Sequence, residues 1–163
     1  MAAILAFPKG KPAIGVSPHT KKRESRRHHH PEHFTPQVAS IRLLEGKLPP
    51  GAVIHGDLRF SESEKPTFPP HVRIKGNLTL FYCRDVKKLG DGLSIKGFAD
   101  FTGTPLKYLP RNLKVGSYLD LTGTRVTCPP QGLQVRWMIL VDKKANKSLK
   151  ALAAKSKTFG RGV

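Results

Sequence analysis

Two aspartates stand at equivalent points of a repeated sequence and are the first candidates for chemistry. Asp100 comes two residues before one Thr-Gly pair and Asp120 two residues before another, twenty residues further on. If the repeats stack, the two carboxylates lie about 5 Å apart, a separation compatible with a retaining glycosidase pair or a divalent-metal site. The alternative is a repeated turn residue ahead of a Thr-Gly-Thr corner, with its charge balanced by Lys96 and Lys114. The turn interpretation is favoured, and no catalytic residue is predicted.

A second candidate is a group of imidazoles near the N-terminus. Together with Glu32, these side chains could capture a transition metal; they are His19, His28, His29, His30 and His33. They have no fixed ligand spacing on a regular element, so a loose polycationic arm is predicted and no metal site. The chain also lacks a phosphate-cradling loop, a nucleophile elbow, a paired CxxC motif and a dinucleotide fingerprint. We therefore expect a non-catalytic protein without a cofactor.

Positive charge is the strongest compositional feature. The chain has a net charge of +18, from 29 Lys and Arg against 11 Asp and Glu. Residues 1–47, 48–142 and 143–163 contribute +6, +5 and +7, so the excess is concentrated at the two ends. Basic arms of this kind find anionic partners. The candidate anion-binding residues of the first arm are Lys21, Lys22, Arg23, Arg26 and Arg27.

The elements that must position the remaining candidates are repeats of 20 or 21 residues between Leu48 and about Asp142. Each repeat opens with a turn-forming tetrapeptide such as Leu109-Pro110-Arg111-Asn112 and continues with an alternating segment such as Leu93 to Gly97. A fixed period this short predicts stacked coils, each of which buries its apolar side only against its neighbours. Because the apolar period inside each unit is two, the elements are predicted to be strands. The predicted fold is mainly β, a right-handed parallel β-solenoid of about five coils.

The alternation also predicts which side chains form the core. Equivalent positions of successive repeats are expected to point inward and to build a ladder of stacked aliphatic residues, with about three straight runs per coil. The predicted inward residues are Leu93, Ile95, Ala99 and Phe101, then Leu113, Val115, Leu119 and Leu121, and, after the next turn, Val86, Leu106 and Val126.

Outward positions predict a line of positive charge, because successive rungs of parallel strands lie about 4.8 Å apart. One column contains His55, Lys75, Lys96, Gly116 and Arg136, and its neighbour contains Val53, Arg73, Ser94, Lys114 and Gln134. The basic members of both columns could cradle a phosphate backbone; they are Arg73, Lys75, Lys96, Lys114 and Arg136. The alternative is a solvated sheet face whose like charges prevent aggregation, and the sequence leaves both interpretations open.

Aromatic residues are too few among these cations to indicate base stacking strongly. Phe98, Tyr118 and Met138 share one outward column and are predicted to form a possible protein-binding patch. Trp137, in the last coil, is expected to cover the end of the stack.

The flanks divide the chain further. Residues 1–34 are predicted to be a basic arm rich in proline and histidine, 35–47 an N-terminal cap helix, 48–142 the solenoid, and 143–163 a basic C-terminal cap helix and tail. Thr35 and Pro36 suit a helix start, and Val38, Ile41 and Leu44 recur along one side of that helix. Asn146 suits the start of the second helix, whose apolar face is Leu149, Leu152 and Ala153. A membrane-surface helix is the rival interpretation of this second segment.

The cysteines and the apolar segments of the sequence indicate the cellular compartment of the protein. Cys83 and Cys128 occupy different repeat positions, so no disulfide framework is predicted and a reduced setting is favoured. The apolar run from Ala2 to Phe7 is too short for a secretory signal, and no run approaches the length of a membrane helix. We expect a cytoplasmic protein, or a virion protein if the chain is phage-encoded.

The unit Leu109-Pro110-x-x-Leu113-x-Val115-x-x-x-Leu119-x-Leu121-x-Gly123-Thr124-x-Val126 resembles the short leucine-rich repeats of bacterial and phage proteins. The resemblance covers residues 48–141 and implies partner binding rather than catalysis, with no functional residues carried over. The asparagine that those repeats place after the strand is replaced here by a Gly or Thr-Gly-Thr corner, which favours a straighter solenoid over a horseshoe.

The sequence thus predicts a binding protein whose arms and basic face engage nucleic acid or a nucleic-acid-containing machine. The alternative is a protein–protein interaction or assembly component, such as a virion protein or an inhibitor that grips an acidic protein surface. Neither a membrane nor a small-molecule substrate is expected as a partner.

Overall fold

The computed structural model of this chain describes residues 31–143 and 147–158. The predictions for Lys21, Lys22, Arg23, Arg26 and Arg27 and for the helix start at Asn146 therefore lie outside the described residues.

Within the described ranges, the chain forms two α-helices and eleven short strands. In chain order these are β1 (His33–Phe34), α1 (Pro36–Leu44), β2 (Val53–Ile54), β3 (Leu58–Arg59), β4 (Arg73–Ile74), β5 (Leu78–Thr79), β6 (Ser94–Ile95), β7 (Ala99–Asp100), β8 (Lys114–Val115), β9 (Leu119–Asp120), β10 (Gln134–Val135), β11 (Ile139–Leu140) and α2 (Lys147–Thr158).

The strands build two parallel sheets that run along the stack. The six-stranded sheet has the order β1-β2-β4-β6-β8-β10, and the five-stranded sheet has the order β3-β5-β7-β9-β11. Each coil contributes one strand to each sheet, and equivalent repeat positions pair, as Ile74 does with Ile95 and Ala99 with Leu119. The prediction of a mainly β parallel solenoid of about five coils is confirmed. Its right-handed winding and the capping role of its helices stay predictions.

One boundary of the predicted arm is wrong. His33 and Phe34 were assigned to the loose arm of residues 1–34, but they form β1, the first rung of the six-stranded sheet. The backbone N–H of Val53 donates to the carbonyl of Glu32 at 2.8 Å, and that of His55 to Phe34 at 3.0 Å. The next coil supplies these hydrogen-bond partners, so an arm without its own apolar pattern still adds a strand.

The core is the predicted ladder of aliphatic side chains. Every predicted inward residue is buried: Val86, Leu93, Ile95, Ala99, Phe101, Leu106, Leu113, Val115, Leu119, Leu121 and Val126. Each fully buried leucine, isoleucine or phenylalanine contributes roughly 1.5–3 kcal/mol relative to an exposed side chain. The third straight run of each coil forms no strand within residues 31–143; Val86, Leu106 and Val126 insert into the core from irregular segments that follow the turns.

A column of left-handed residues makes one corner of every coil. The fourth residue of each opening tetrapeptide has a positive φ, with values of 77°, 63°, 73°, 55° and 71° at Gly51, His71, Gly92, Asn112 and Gly132. Glycine adopts this conformation without strain. Asparagine and histidine are both enriched there among non-glycine residues, but asparagine does so at the lower cost, because its short side chain can hydrogen-bond locally. The corner is therefore set by the backbone rather than by one conserved residue type within the chain.

The two helices differ in how well the sequence predicted their buried faces. In α1 the buried residues are Ala39 and Leu43, while Val38, Ile41 and Leu44, which recur along one side of the predicted helix, are 44%, 58% and 41% exposed. In α2, Leu149 and Ala153 are buried and join the core next to β11. Neither helix among the described residues is long and apolar enough to cross a membrane.

Candidate functional site

The five basic residues of the predicted line lie together on the outward side of the six-stranded sheet. Arg73 pairs with Ser94, which pairs with Lys114 in the next rung. The neighbouring column is held by backbone hydrogen bonds, in which Lys75 and Arg136 donate their N–H groups to the coil before, at 2.8 and 3.0 Å. We call this surface the basic face; it consists of Arg73, Lys75, Lys96, Lys114 and Arg136.

The basic face forms one open groove. Its volume is about 790 Å³, all five cations line it, and no described lining residue is acidic. The five side chains are exposed. Within residues 31–143 and 147–158, ion pairs join Lys47 to Glu45 and Arg111 to Asp91, and none involves a residue of the basic face. The groove therefore presents five positive charges that no described carboxylate neutralises.

A gap in the cationic column has a steric origin. Gly116 occupies the column position between Lys96 and Arg136, and a Cβ atom built on it would collide with the carbonyl oxygen of Lys96. A residue with a side chain does not fit at this backbone position without a shift of the preceding rung. The positive charge in this rung comes from Lys114, in the neighbouring column.

The apolar column beside the basic face is also assembled as predicted. The rings of Phe98 and Tyr118 stack with their centroids 4.9 Å apart and an interplanar angle of 3°. Met138 follows in the next coil and is 38% exposed. We call Phe98, Tyr118 and Met138 the corner line, because they occupy the corner between the two sheets.

The same corner has a polar half, which was not predicted. The Asp57 carboxylate accepts the backbone N–H of Asn77 at 2.8 Å, and the Asn77 side-chain oxygen accepts that of Phe98 at 2.9 Å. These bonds satisfy corner N–H groups that would otherwise lack a partner. The signal was present, because Asp57 and Asn77 stand at the repeat position of Phe98. The first coils thus have a short ladder of side-chain hydrogen bonds at this corner, although the sequence pattern predicted a Gly or Thr-Gly-Thr corner in place of an asparagine.

Asp100 and Asp120 pair in register across β7 and β9, on the five-stranded sheet. Each carboxylate accepts the backbone N–H of the residue two positions later, Thr102 or Thr122, at 2.9 Å. This geometry matches the turn interpretation. The expected charge balance is wrong, since neither carboxylate forms an ion pair with a described lysine. The reason is topological: Lys96 and Lys114 belong to the outward side of the other sheet.

The described residues include one histidine pair and two free cysteines that could take part in metal or thiol chemistry. No group of three or more metal-ligating side chains occurs there. His33 and His55 form a pair, with Nδ1 and Nε2 2.6 Å apart. Burial, reinforced by the negative charges of Glu64 and Glu62, raises the pKa of the Cys83 thiol to about 11. Among the described cysteines, Cys83 is buried and free, and Cys128 is exposed and free.

Exposed aromatic residues lie at three other places. Trp137 is 57% exposed and directly follows Arg136 in the chain, and its expected role in covering the end of the stack stays a prediction. Tyr108 is 73% exposed on the side of the coils without strands. Phe81 and Tyr82 contact edge to face, and Phe81 lines a second groove of about 460 Å³ on the five-stranded sheet.

Comparisons with known proteins identify no relative: no family model, curated protein or solved structure matches the chain. The resemblance to short leucine-rich repeats stays a prediction from the motif.

Proposed function

We propose that this protein is a non-catalytic nucleic-acid-binding protein that contacts phosphate groups with its basic face. One observation carries the proposal: five cations from four successive coils line one groove, and none of them is neutralised by a described carboxylate. A solvated face needs no such alignment. Lysine and arginine that replace the counterions of a phosphate backbone gain affinity from the release of those ions.

The rigid face and the basic ends have separate roles in this proposal. The ends hold most of the net charge of +18 and supply attraction that is independent of sequence and orientation. The basic face fixes its cations on a β scaffold and therefore orients the bound backbone.

The number of contacted phosphates sets the magnitude of the salt dependence. The logarithm of the binding constant falls by about 0.9 per neutralised phosphate for B-form DNA and about 0.7 for a single strand, per tenfold rise in salt. Five contacts on the basic face would thus contribute a slope of roughly 3.5 to 4.5.

The test is a retardation or anisotropy titration across a salt series. Replacing Lys75, Lys96 and Arg136 together by Gln should weaken binding and flatten the slope by about 2 to 3. The matched control replaces Lys65, Lys87 and Lys107 by Gln, which removes the same charge from exposed positions off the face. An unchanged slope in the first variant, or an equal change in the control, contradicts the proposal.

A protein-interaction or assembly role is the second candidate, and the corner line favours it. Stacked Phe98 and Tyr118 with exposed Met138 form a continuous apolar strip beside cations, which suits an acidic protein surface with an apolar centre. Such binding would lose affinity on Tyr118→Ser, and it would also weaken as salt rises, because the partner surface is acidic. A reducing setting, in the cytoplasm or a virion, fits either role because the described cysteines are free.

A further inference from the structure

The dimensions of the basic face set how many sugar-phosphate chains it can contact. Its two columns are roughly 7 Å apart, and its rungs span about 14 Å from Arg73 to Arg136. This strip has room for one sugar-phosphate chain, which could be a single strand or one strand of a duplex, so the surfaces that border the strip decide between the two. The outward column of the five-stranded sheet offers no second cationic row, because Asp100 and Asp120 occupy two of its positions.

The two borders of the groove differ in polarity. Two residues beyond Lys96, the chain reaches Phe98, and two residues beyond Arg136 it reaches Met138, so the corner line follows one border. The opposite border is the turn column, where the Arg111 guanidinium donates to the Asp91 carboxylate at 2.6 and 2.9 Å. A chain of phosphates lying in the groove therefore has an apolar surface on one side and a self-paired polar surface on the other.

On the apolar border, the aromatic ring that is most open to a ligand lies in the last coil. The stacked rings of Phe98 and Tyr118 each cover one face of the other, so they mainly extend the apolar strip. Trp137 lies between Arg136 and Met138 in the chain and is 57% exposed. It offers an exposed aromatic ring beside the final cation of the basic face.

We infer that the ligand of the basic face is a single-stranded nucleic acid, with phosphates on the cations and bases over the corner line and Trp137. The inference rests on the proposed function and names its substrate class. Unpaired bases expose faces that stack on aromatic side chains regardless of sequence, whereas a duplex hides them. The inference therefore also predicts little base preference.

The experiment compares three labelled or competing polyanions on the full chain: a 15-nucleotide oligo(dT), a 15-base-pair duplex and inorganic polyphosphate. Trp137→Ser should weaken oligo(dT) binding about 5- to 150-fold, the range that one stacked base supplies. It should leave polyphosphate binding unchanged, because that polymer has no bases. Tyr108→Ser is the matched control, since it removes an exposed aromatic ring from another side of the coils.

The outcomes separate the two levels of the proposal. If the Gln variant of Lys75, Lys96 and Arg136 binds all three polyanions as the wild type does, the proposed function itself fails. The wild type should bind oligo(dT) more tightly than the duplex. If the Gln variant loses binding but the duplex binds at least as tightly as oligo(dT), only the single-strand inference is overturned. The same holds if Trp137→Ser leaves oligo(dT) binding intact or weakens polyphosphate binding equally. A second variant, Tyr118→Ser, tests the corner line in the same way, with urea unfolding used to confirm that its fold is retained.

Discussion

The left-handed residues at the corner of each coil lead to a prediction about stability: two substitutions in adjacent coils should change the free energy of unfolding in opposite directions. His71, with φ of 63°, occupies a conformation that costs an L-residue roughly 1–2 kcal/mol. Glycine removes that cost but adds roughly 0.5–1 kcal/mol of chain entropy in the unfolded state. His71→Gly should therefore stabilise the protein by up to about 1.5 kcal/mol, although it removes a side chain.

In the next coil, the corresponding substitution should destabilise the protein. Gly92 has φ of 73°, so Gly92→Ala introduces the left-handed cost, and its new Cβ would also meet the His71 imidazole. We expect a net loss of about 1 kcal/mol or more. In the His71→Gly background the imidazole is absent, so the cost of Gly92→Ala should fall to the backbone contribution alone. The difference between the two backgrounds measures the contact.

Urea unfolding followed by far-UV circular dichroism is the assay, with the two single variants and the double variant measured together. Asn112→Gly is the control, since asparagine tolerates φ of 55° and the gain should be only a few tenths of a kcal/mol. A His71→Gly variant that is less stable than the wild type would refute the reasoning, because the left-handed corner would then carry no strain to relieve.

Three further predictions follow from single sites. Cys128 should react with a maleimide at pH 8 while Cys83 stays unmodified until the protein unfolds, since the pKa of the buried thiol is raised to about 11; peptide mass spectrometry checks this. The side-chain hydrogen bond from Arg111 lowers the pKa of Asp91, so the carboxylate stabilises the fold above its unfolded pKa and loses this contribution as pH falls through the folded value. Asp91→Asn should therefore be less stable than the wild type at pH 7 and equal to it in acid, as read from unfolding curves across pH. Phe101→Ala, in a fully buried position, should cost about 3–5 kcal/mol in urea unfolding, and a cost below about 1 kcal/mol would contradict the assigned core.

Much of the architecture was predictable because one period fixes two properties at once. The repeat of 20 or 21 residues places Ile95 over Ile74, and the alternation inside each unit assigns Ile95 to the core and Lys96 to the surface. The basic face followed from the same argument, since residues at one repeat position lie in one column. Its use as a binding surface stays a proposal.

The errors arose where the repeat gave no information. The α1 segment is not a repeat unit, and its apolar spacing, Val38 with Ile41, does not identify the side that is buried. Packing against the first coil instead selects Ala39 and Leu43, because the approach direction of the helix decides which side is covered. His33 and Phe34 likewise became a strand only because the first complete coil offered an unpaired edge.

The sequence by itself determined the stacking period, the inward and outward columns and the sign of the charge on each, because these depend only on residue order. The tertiary structure alone decided which columns share a surface. It placed Lys96 and Asp120 on different sheets, joined Asp57 and Asn77 into a corner ladder and left Trp137 exposed beside Arg136. The path of the chain around each coil sets these relations, and that path depends on the turns, where Gly, His and Asn adopt the same backbone conformation from different side chains.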